Sequence, residues 1–264
     1  VSSDHSAPSS LDSSPELSPE LSVVIPAHNE EGHIATTVRH IHDALARANI
    51  RHEILVVNDH STDGTALVLD QLKGQVPELR VVINEGPGGF GFAVRCGLHH
   101  FSGSTVAIVM ADESDSPQDI VRFYREIERG VECAFGSRFM KESKVIDYPW
   151  PKLFLNRVAN LFIQVLFGLK YNDVTNAFKM YRRHVIEGLK PFLSHHFNLT
   201  VELPLKALVR GYSYAVIPNS WTNRKEGVSK FKIKEMGSRY LFIIIYCFIE
   251  KWLSRGDYYR KDPH

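Results

Sequence analysis

From residue 21 onward, short apolar runs alternate with amphipathic stretches. Leu21 to Ile25 is an apolar run stopped by Pro26, which reads as a buried strand. Glu30 to Ala48 then carries Ile34, Val38, Ile41 and Leu45 on one helical face. His52 to Val57 predicts a second strand, closed by the polar turn Asn58 to Gly64, and a helix bearing Leu67, Val68 and Leu72 follows. Leu79 to Ile83 predicts a third strand, and a glycine cluster leads from it into a helix near Phe92 to Phe101. Val106 to Met110 is the fourth strand, Pro117 opens the next helix, and Glu132 to Phe135 is the fifth strand. This rhythm predicts an α/β chain with a mostly parallel sheet and helices on both faces.

The rhythm changes after residue 136. A polar loop, Met140 to Tyr148, precedes a helix over Lys152 to Phe167 and an extended piece over Thr175 to Tyr181. A helix over Leu199 to Val209, a strand over Tyr212 to Ile217, a basic loop from Trp221 to Lys230 and an apolar C-terminal helix complete the chain. No linker-like composition separates 21–136 from 137–233, so the two halves are expected to be fused, with 234–264 as a C-terminal helix and tail. Residues 1–20 are rich in Ser, Pro and acid and predict a disordered leader. They have no basic n-region or apolar h-region, and so do not read as a secretory signal.

Composition narrows the options. A net charge of +1 gives no general attraction to nucleic acid, so any anion site must be local. The three cysteines, Cys96, Cys133 and Cys247, have no metal-ligand spacing and an odd count, which fits a reducing cytoplasm rather than a disulfide framework. Thirteen histidines show no H-E-x-x-H or comparable zinc spacing, and the adjacent pairs His99-His100 and His195-His196 read as surface or packing residues. No apolar run reaches the roughly 18 residues a transmembrane helix needs; Tyr240 to Ile249 is the longest candidate.

The chemistry concentrates in Val109 to Pro117, where carboxylates appear abruptly at the end of a buried strand. In open α/β sheets ligands bind beyond the strand carboxyl ends, and clustered oxygen ligands there suit Mg²⁺ or Mn²⁺. The competing reading is a helix N-cap, with Ser114, Asp115 or Ser116 capping the helix that Pro117 opens. Gly86 to Gly91 matches G-x-G-x-x-G, but it follows the third strand rather than the first, which argues against a nicotinamide or flavin cofactor. Its backbone N–H groups are still suited to lining a nucleotide pocket.

In chain order these segments resemble family-2 glycosyltransferases of the GT-A fold, a Rossmann-like, mostly parallel sheet flanked by helices, here with C-terminal amphipathic helices. Among them the chain is similar to the polyprenyl-phosphate (dolichol-phosphate) mannose and glucose synthases, over roughly Leu21 to Ile233. Val23 to Glu30 resembles the family's opening strand and its nucleobase-cradling loop, and Val56 to Thr65 resembles V-D-D-G-S-x-D-G-T. Gly88 to Ala93 resembles the third loop, and Met110 to Pro117 stands in place of the metal motif D-A-D-x-x-x-P-P. Gly136-Ser137-Arg138-Phe139 is similar to G-S-R-Y, Thr175 to Arg182 to T-S-G-F-R-L-Y-R, and Arg224 to Lys230 to the acceptor loop R-x-x-G-x-S-K. Two positions depart from the pattern: Asn58 and Met110 stand where the family usually has Asp.

The resemblance implies an inverting, metal-dependent hexosyltransferase. It would move a hexose or N-acetylhexosamine from a UDP- or GDP-sugar to a polyprenyl phosphate. It places the nucleotide-sugar against Pro26, Ala27, Asn29, Glu30, Asp59, Gly89, Ala111 and Asp112. Mg²⁺ or Mn²⁺ would be held by Asp112, with Ser114 and Asp115 beside it. Catalysis would fall to Asp112, Asp115 and Arg138, and the acceptor phosphate to Arg138, Arg224, Ser229 and Lys230. A lipid phosphate is already anionic and needs positioning only, whereas a hydroxyl acceptor requires a base, for which Asp115, Asp173 and Glu202 are available. Transfer to a hydroxyl acceptor therefore stays open, as does a sugar-nucleotide-binding protein with weakened catalysis. Apolar faces with basic and aromatic flanks at Lys152 to Phe167 and Tyr240 to Arg255 suit the membrane interface, placing the protein peripherally on a cytoplasmic leaflet; a homo-oligomer seam is the alternative.

Overall fold

A computed structural model describes residues 18–222 and 233–260. The first half alternates β1 (Leu21–Ala27), α1 (Ile34–Arg47), β2 (His52–Asn58), α2 (Thr65–Lys73), β3 (Leu79–Ile83), α3 (Phe90–His100), β4 (Thr105–Ile108), α4 (Pro117–Glu128) and β5 (Cys133–Ser137). There follow β6 (Val145–Ile146), α5 (Trp150–Phe167), β7 (Lys179–Arg182), α6 (Arg183–Gly188), α7 (Leu199–Val209), β8 (Tyr214–Pro218), β9 (Trp221–Thr222) and α8 (Ile233–Leu253). Seven strands form one sheet in the order β3-β2-β1-β4-β7-β5-β8, while β6 and β9 pair in a small second sheet. All neighbours in the large sheet are parallel except β7, which runs against both β4 and β5. Because β7 belongs to the second half and lies between two strands of the first, the halves share one sheet.

The sheet is covered on both faces. Along β1 the period-2 alternation sends Leu21, Val23, Ile25 and Ala27 into a core with α1, α2 and α4. Val24 points into the opposite core, which is built by α3, α5, α6, α7 and α8. Burial on both faces explains why the strand reads as a continuous apolar run. Two glycines let helix α3 pack closely, one against the sheet and one against the loop before α7. A Cβ on Gly97 would sit 2.3 Å from Val24 Cγ1, and one on Gly91 would sit 2.4 Å from the His195 carbonyl carbon.

Several boundaries differ from the sequence expectation for local physical reasons. Pro26 does not stop β1: pairing with β4 ends at Val24, so the missing N–H lies past that ladder, while Pro26 still pairs in register with Val57 of β2. Helix α1 begins at Ile34 rather than Glu30, because the Asn29–Glu31 backbone is tied to the loop after β2. Strand β4 stops at Ile108, two residues early, since the acidic segment leaves the sheet. The antiparallel direction of β7, and the short elements β6, α6 and β9, were not legible in the apolar pattern.

At the far edge of the sheet Glu132 accepts hydrogen bonds from the Ser213 N–H (2.7 Å) and hydroxyl (2.8 Å), and it pairs with His184 and Arg260. Burial opposes its ionisation, but these partners outweigh that and bring its carboxyl down to about 2. The folded value lies below the unfolded one of about 4.3, so the stabilisation is complete above pH 4.3 and is lost as pH falls toward 2. Glu132→Gln is expected to flatten the fall in stability between pH 4.5 and 2.5 by roughly 1–2 kcal/mol, after allowance for solvent screening. Urea unfolding of both proteins across that range measures it; parallel curves would refute it.

Candidate active site

Six strands run in the same direction, so the loops that follow β1, β2, β3, β4, β5 and β8 converge on one edge of the sheet, and the start of antiparallel β7 joins them there. Topology thus gathers the segments at 27–31, 58–65, 84–90, 109–116, 137–139, 173–176 and 219–222.

The first two loops are fastened to each other. Asn29, held at φ 57°, accepts a hydrogen bond from the Thr62 N–H at 2.8 Å and donates its own N–H to Ser61 Oγ at 3.1 Å. The Glu30 N–H donates to Thr65 Oγ1 at 2.8 Å, and the Glu31 carboxylate accepts from the Gly64 N–H at 2.6 Å. Left-handed backbone at Asn29, and again at His60 and Glu113, places three non-glycine outliers on this edge. Strain of that kind persists where surrounding bonds over-determine the loop.

Asp59 is buried, and both of its oxygens are engaged. Oδ1 accepts from Asn84 Nδ2 at 2.7 Å, and Oδ2 accepts from the Gly89 N–H at 2.7 Å. Gly89 adopts φ 139°, a conformation open to glycine, at the first turn of α3. Asp59 therefore shapes the glycine loop directly. Asn58, which takes the place of the family's other carboxylate, accepts the Ser61 N–H through Oδ1 and so helps turn the same loop.

In the acidic segment, Asp112 Oδ1 accepts from the Ser114 N–H at 3.2 Å, and Thr37 of α1 donates to the Ala111 carbonyl at 2.9 Å. Asp115 is buried and folds back, so that its Oδ2 accepts the Met110 N–H at 3.3 Å. The carboxylate absent at position 110 is thus approached by one from five residues downstream. Burial, then the neighbouring Asp112 charge, pushes the Asp115 carboxyl up to about 7. Strand β9 closes over the segment: Trp221 bridges to Asp115, and the Thr222 N–H donates to the Ser114 carbonyl at 3.2 Å. A cavity of about 160 Å³ lies behind it, lined by Thr37, Glu113, Ser114, Asp115, Ser220 and Thr222. Helix α4 opens at Pro117 with Ser116 in the cap position, and no side chain caps it, so the acidic residues are not there as an N-cap.

Arg138 is placed by Asp173. Its Nε and Nη2 donate to the two Asp173 oxygens at 2.8 and 2.7 Å, and its backbone N–H adds a third bond at 2.9 Å. Asp173 is fully buried, and only Nη1 of the guanidinium reaches toward the Tyr148 hydroxyl, at 3.4 Å. Of the three carboxylates available as a base, Asp173 is committed in this way. Glu202 is committed too: it is fully buried, paired with Lys206 at 2.6 Å, and accepts the Leu193 and Ser194 N–H groups. Only Asp115 of the three stands on the acidic loop.

Beside Arg138 lies an aromatic and cationic patch that the motif reading did not assemble. Tyr148 and Trp221 meet edge to face with centroids 4.9 Å apart, Lys152 lies 5.8 Å over Tyr148, and Arg157 lies 4.7 Å over Phe139. The signal available in the sequence was the pair of cations opening α5. Past them α5 is exposed and apolar, with Leu161 60% exposed, Phe162 51% and Val165 76%, and Trp150 and Phe154 beside the cations are exposed as well. Helix α8 lies alongside α5, with Lys251 donating to the Phe167 carbonyl at 2.5 Å. Helix α8 buries Ile243, Ile244 and Cys247 and exposes Leu241, Phe242, Ile245 and Ile249, so between Tyr240 and Ile249 it is apolar on its packed and its exposed sides alike. Among the described residues, no helix is long and apolar enough to cross a membrane. Arg224, Ser229 and Lys230 lie outside the described residues.

The chain is similar to known proteins in sequence and in fold. Polyprenol monophosphomannose synthase from Mycolicibacterium smegmatis is 31% identical over 233 residues, covering 82% of this chain and 86% of that protein. Dolichol-phosphate mannosyltransferase from Pyrococcus furiosus is 29% identical over 222 residues; the match covers 81% of this chain and 60% of that longer protein. Glucosyl-3-phosphoglycerate synthase from Mycobacterium tuberculosis, crystallised with Mn²⁺, UDP-glucose and phosphoglyceric acid, superimposes with a TM-score of 0.64 at 18% identity, over 88% of this chain and 79% of that one. That likeness establishes the GT-A fold. The Glycosyl transferase family 2 signature matches residues 22–189, and with the relative at 31% identity it shows that the chain belongs to this family of glycosyltransferases.

Proposed function

We propose that this glycosyltransferase moves a hexose from a nucleotide-sugar to a polyprenyl phosphate at a membrane surface. The observation that carries the reading is the exposed apolar face of α5, which begins at the cation- and aromatic-lined patch beside Arg138. An anionic lipid head at that patch and its isoprenoid chain along α5 would satisfy both surfaces at once. The relatives named above act, by their names, on polyprenol and dolichol phosphate.

The nucleotide-sugar fits the edge formed by Pro26, Ala27, Asn29, Glu30, Gly89, Ala111 and Asp112, with Asp59 holding the glycine loop in place. The donor set supports a divalent ion. Asp112 and Asp115 are hard oxygen ligands on one loop, and Asp115 is buried beside a like charge, a situation that a cation relieves. Asp112, with Ser114 and Asp115, would hold Mg²⁺ or Mn²⁺, which neutralises the charge developing on a diphosphate leaving group. The protein's own residues supply position. Asp173 orients Arg138, the β9 strand closes over the acidic loop, and the cations of α5 meet the acceptor's charge. A phosphate acceptor is already ionised, so the commitment of Asp173 and Glu202 to buried ion pairs costs such a reaction nothing. The apolar faces of α5 and α8 would rest on the lipid surface, placing the protein peripherally on the cytoplasmic leaflet.

Radiolabelled nucleotide-sugars, offered with Mg²⁺ and with or without polyprenyl phosphate, test the reading. Label is expected in the organic phase only when the lipid is present. Label that stays in the aqueous phase and moves instead to a hydroxyl acceptor would replace this reading with the hydroxyl-transfer one.

A further inference from the structure

The loop edge accounts for most of the chemistry-bearing side chains, but one cluster lies at the opposite, amino-terminal edge of the sheet. His42 comes from the inner side of α1, His52 is the first residue of β2, and Glu78 immediately precedes β3. His42 Nδ1 lies 3.3 Å from His52 Nε2 and 3.2 Å from Glu78 Oε2, and one ligand atom from each residue falls within 4.8 Å of the other two.

Tautomer and geometry both favour a metal over a simple hydrogen-bonded group. His52 Nδ1 is 2.8 Å from the Ile50 carbonyl, which can only accept, so that nitrogen carries the proton and Nε2 presents its lone pair to His42 and Glu78. A carbonyl on the far ring nitrogen is the outer-shell partner that metal-bound histidines commonly have. Glu78 Oε2 is buried and receives no hydrogen bond, although the His42 ring is close. A single proton on His42 cannot serve both the His52 lone pair and the Glu78 carboxylate. Two ligands bound at about 2.0–2.1 Å with a tetrahedral angle stand roughly 3.3 Å apart, which is the spacing observed for both pairs.

We propose that His42, His52 and Glu78 form a second metal site that takes Zn²⁺, separate from any ion used with the nucleotide-sugar. Two imidazole nitrogens and one carboxylate oxygen select zinc over the magnesium or manganese that an all-oxygen loop prefers. Three ligands leave the fourth tetrahedral position for water. The ion ties α1, β2 and the approach to β3 into one unit at the end of the sheet remote from the acidic loop, so its work is stabilising rather than catalytic.

The test uses the full chain stripped with chelator and returned to buffer containing excess Mg²⁺, which saturates all-oxygen sites. Calorimetric titration with ZnCl₂ is expected to give one ion per chain, and saturation at about 100 times Kd should raise Tm by roughly 5 °C or more. Glu78→Gln and His42→Gln, both at part-exposed positions, should each weaken zinc at least about tenfold while remaining folded by circular dichroism. Asp112→Asn should leave zinc affinity unchanged. No zinc uptake, uptake as tight in Glu78→Gln and His42→Gln as in the unsubstituted chain, or uptake lost in Asp112→Asn would each overturn the proposal. None of these readings depends on which sugar or acceptor the enzyme uses.

Discussion

Asp112→Asn is expected to lower sugar transfer by at least about 10²–10³-fold, the cost typical of losing one element of charge stabilisation at a leaving group. The side chain is part-exposed and its carboxylate accepts the Ser114 N–H, a bond the amide oxygen of Asn can keep, so the unfolding free energy measured in urea should change by no more than about 0.5 kcal/mol. The combination matters, because a large loss of rate with intact stability assigns Asp112 to chemistry rather than to folding. Position 110 sharpens the expectation. Met110 brings no oxygen ligand, so the loop offers Asp112 and the inward-folded Asp115 where the family pattern has two carboxylates bracketing an alanine. Transfer rates with Mg²⁺ and Mn²⁺ at saturating donor measure the effect. Full transfer in Asp112→Asn, unchanged on adding chelator, would mean that the enzyme moves sugar without an ion on this loop, whereas slow donor hydrolysis that survives the substitution would favour a sugar-nucleotide-binding protein.

The largest stability effect is expected at Asp173, which no single motif marks as structural. Asp173→Asn removes the partner of a nearly buried guanidinium, and breaking a buried pair from one side costs about 3–5 kcal/mol. Lys179 is also affected. It is buried, donating to the Val174, Thr200 and Asn176 carbonyls; burial pulls its ammonium down to about 7, and the Asp173 charge is the main influence opposing that fall. Urea denaturation should show the loss directly, and transfer should fall with it, since Asp173 fixes the Ser137–Phe139 turn through the Arg138 backbone N–H. Replacing both partners, Arg138→Met with Asp173→Leu, should recover most of the stability and none of the activity. A loss below about 1 kcal/mol in Asp173→Asn would mean that the pair does not hold the turn.

The family motifs were legible because each joins a strand end to a helix start, and a parallel sheet brings all such joints to one edge. Residues 27–30, 58–65 and 109–116 needed only the alternation of apolar runs and polar turns to be placed together. Arg138 was found in the same way, but its role was not. Its motif suggests a free anion holder, whereas a carboxylate 35 residues later takes two of its three nitrogens. Glu202 shows the same gap, since nothing local distinguishes a catalytic base from the buried partner of Lys206 one helical turn on. Tyr148 and Trp221 lie 73 positions apart in sequence and share a patch only because β6 pairs with β9.

By itself the sequence determined the fold class and the sheet edge on which the family's motifs gather, and it singled out Asp112 as the ligand proposed for the acidic loop, since these follow from hydrophobic periodicity and from turn chemistry within a few residues. Tertiary structure decided the rest: the antiparallel insertion of β7, the sealing of Asp59, Asp173 and Glu202 into internal bonds, and the meeting of His42, His52 and Glu78 across spacings that fit no linear metal motif. A carboxylate's or imidazole's task depends on burial and on partners drawn from distant segments. Those are set by how strands and helices pack, and no local pattern encodes them.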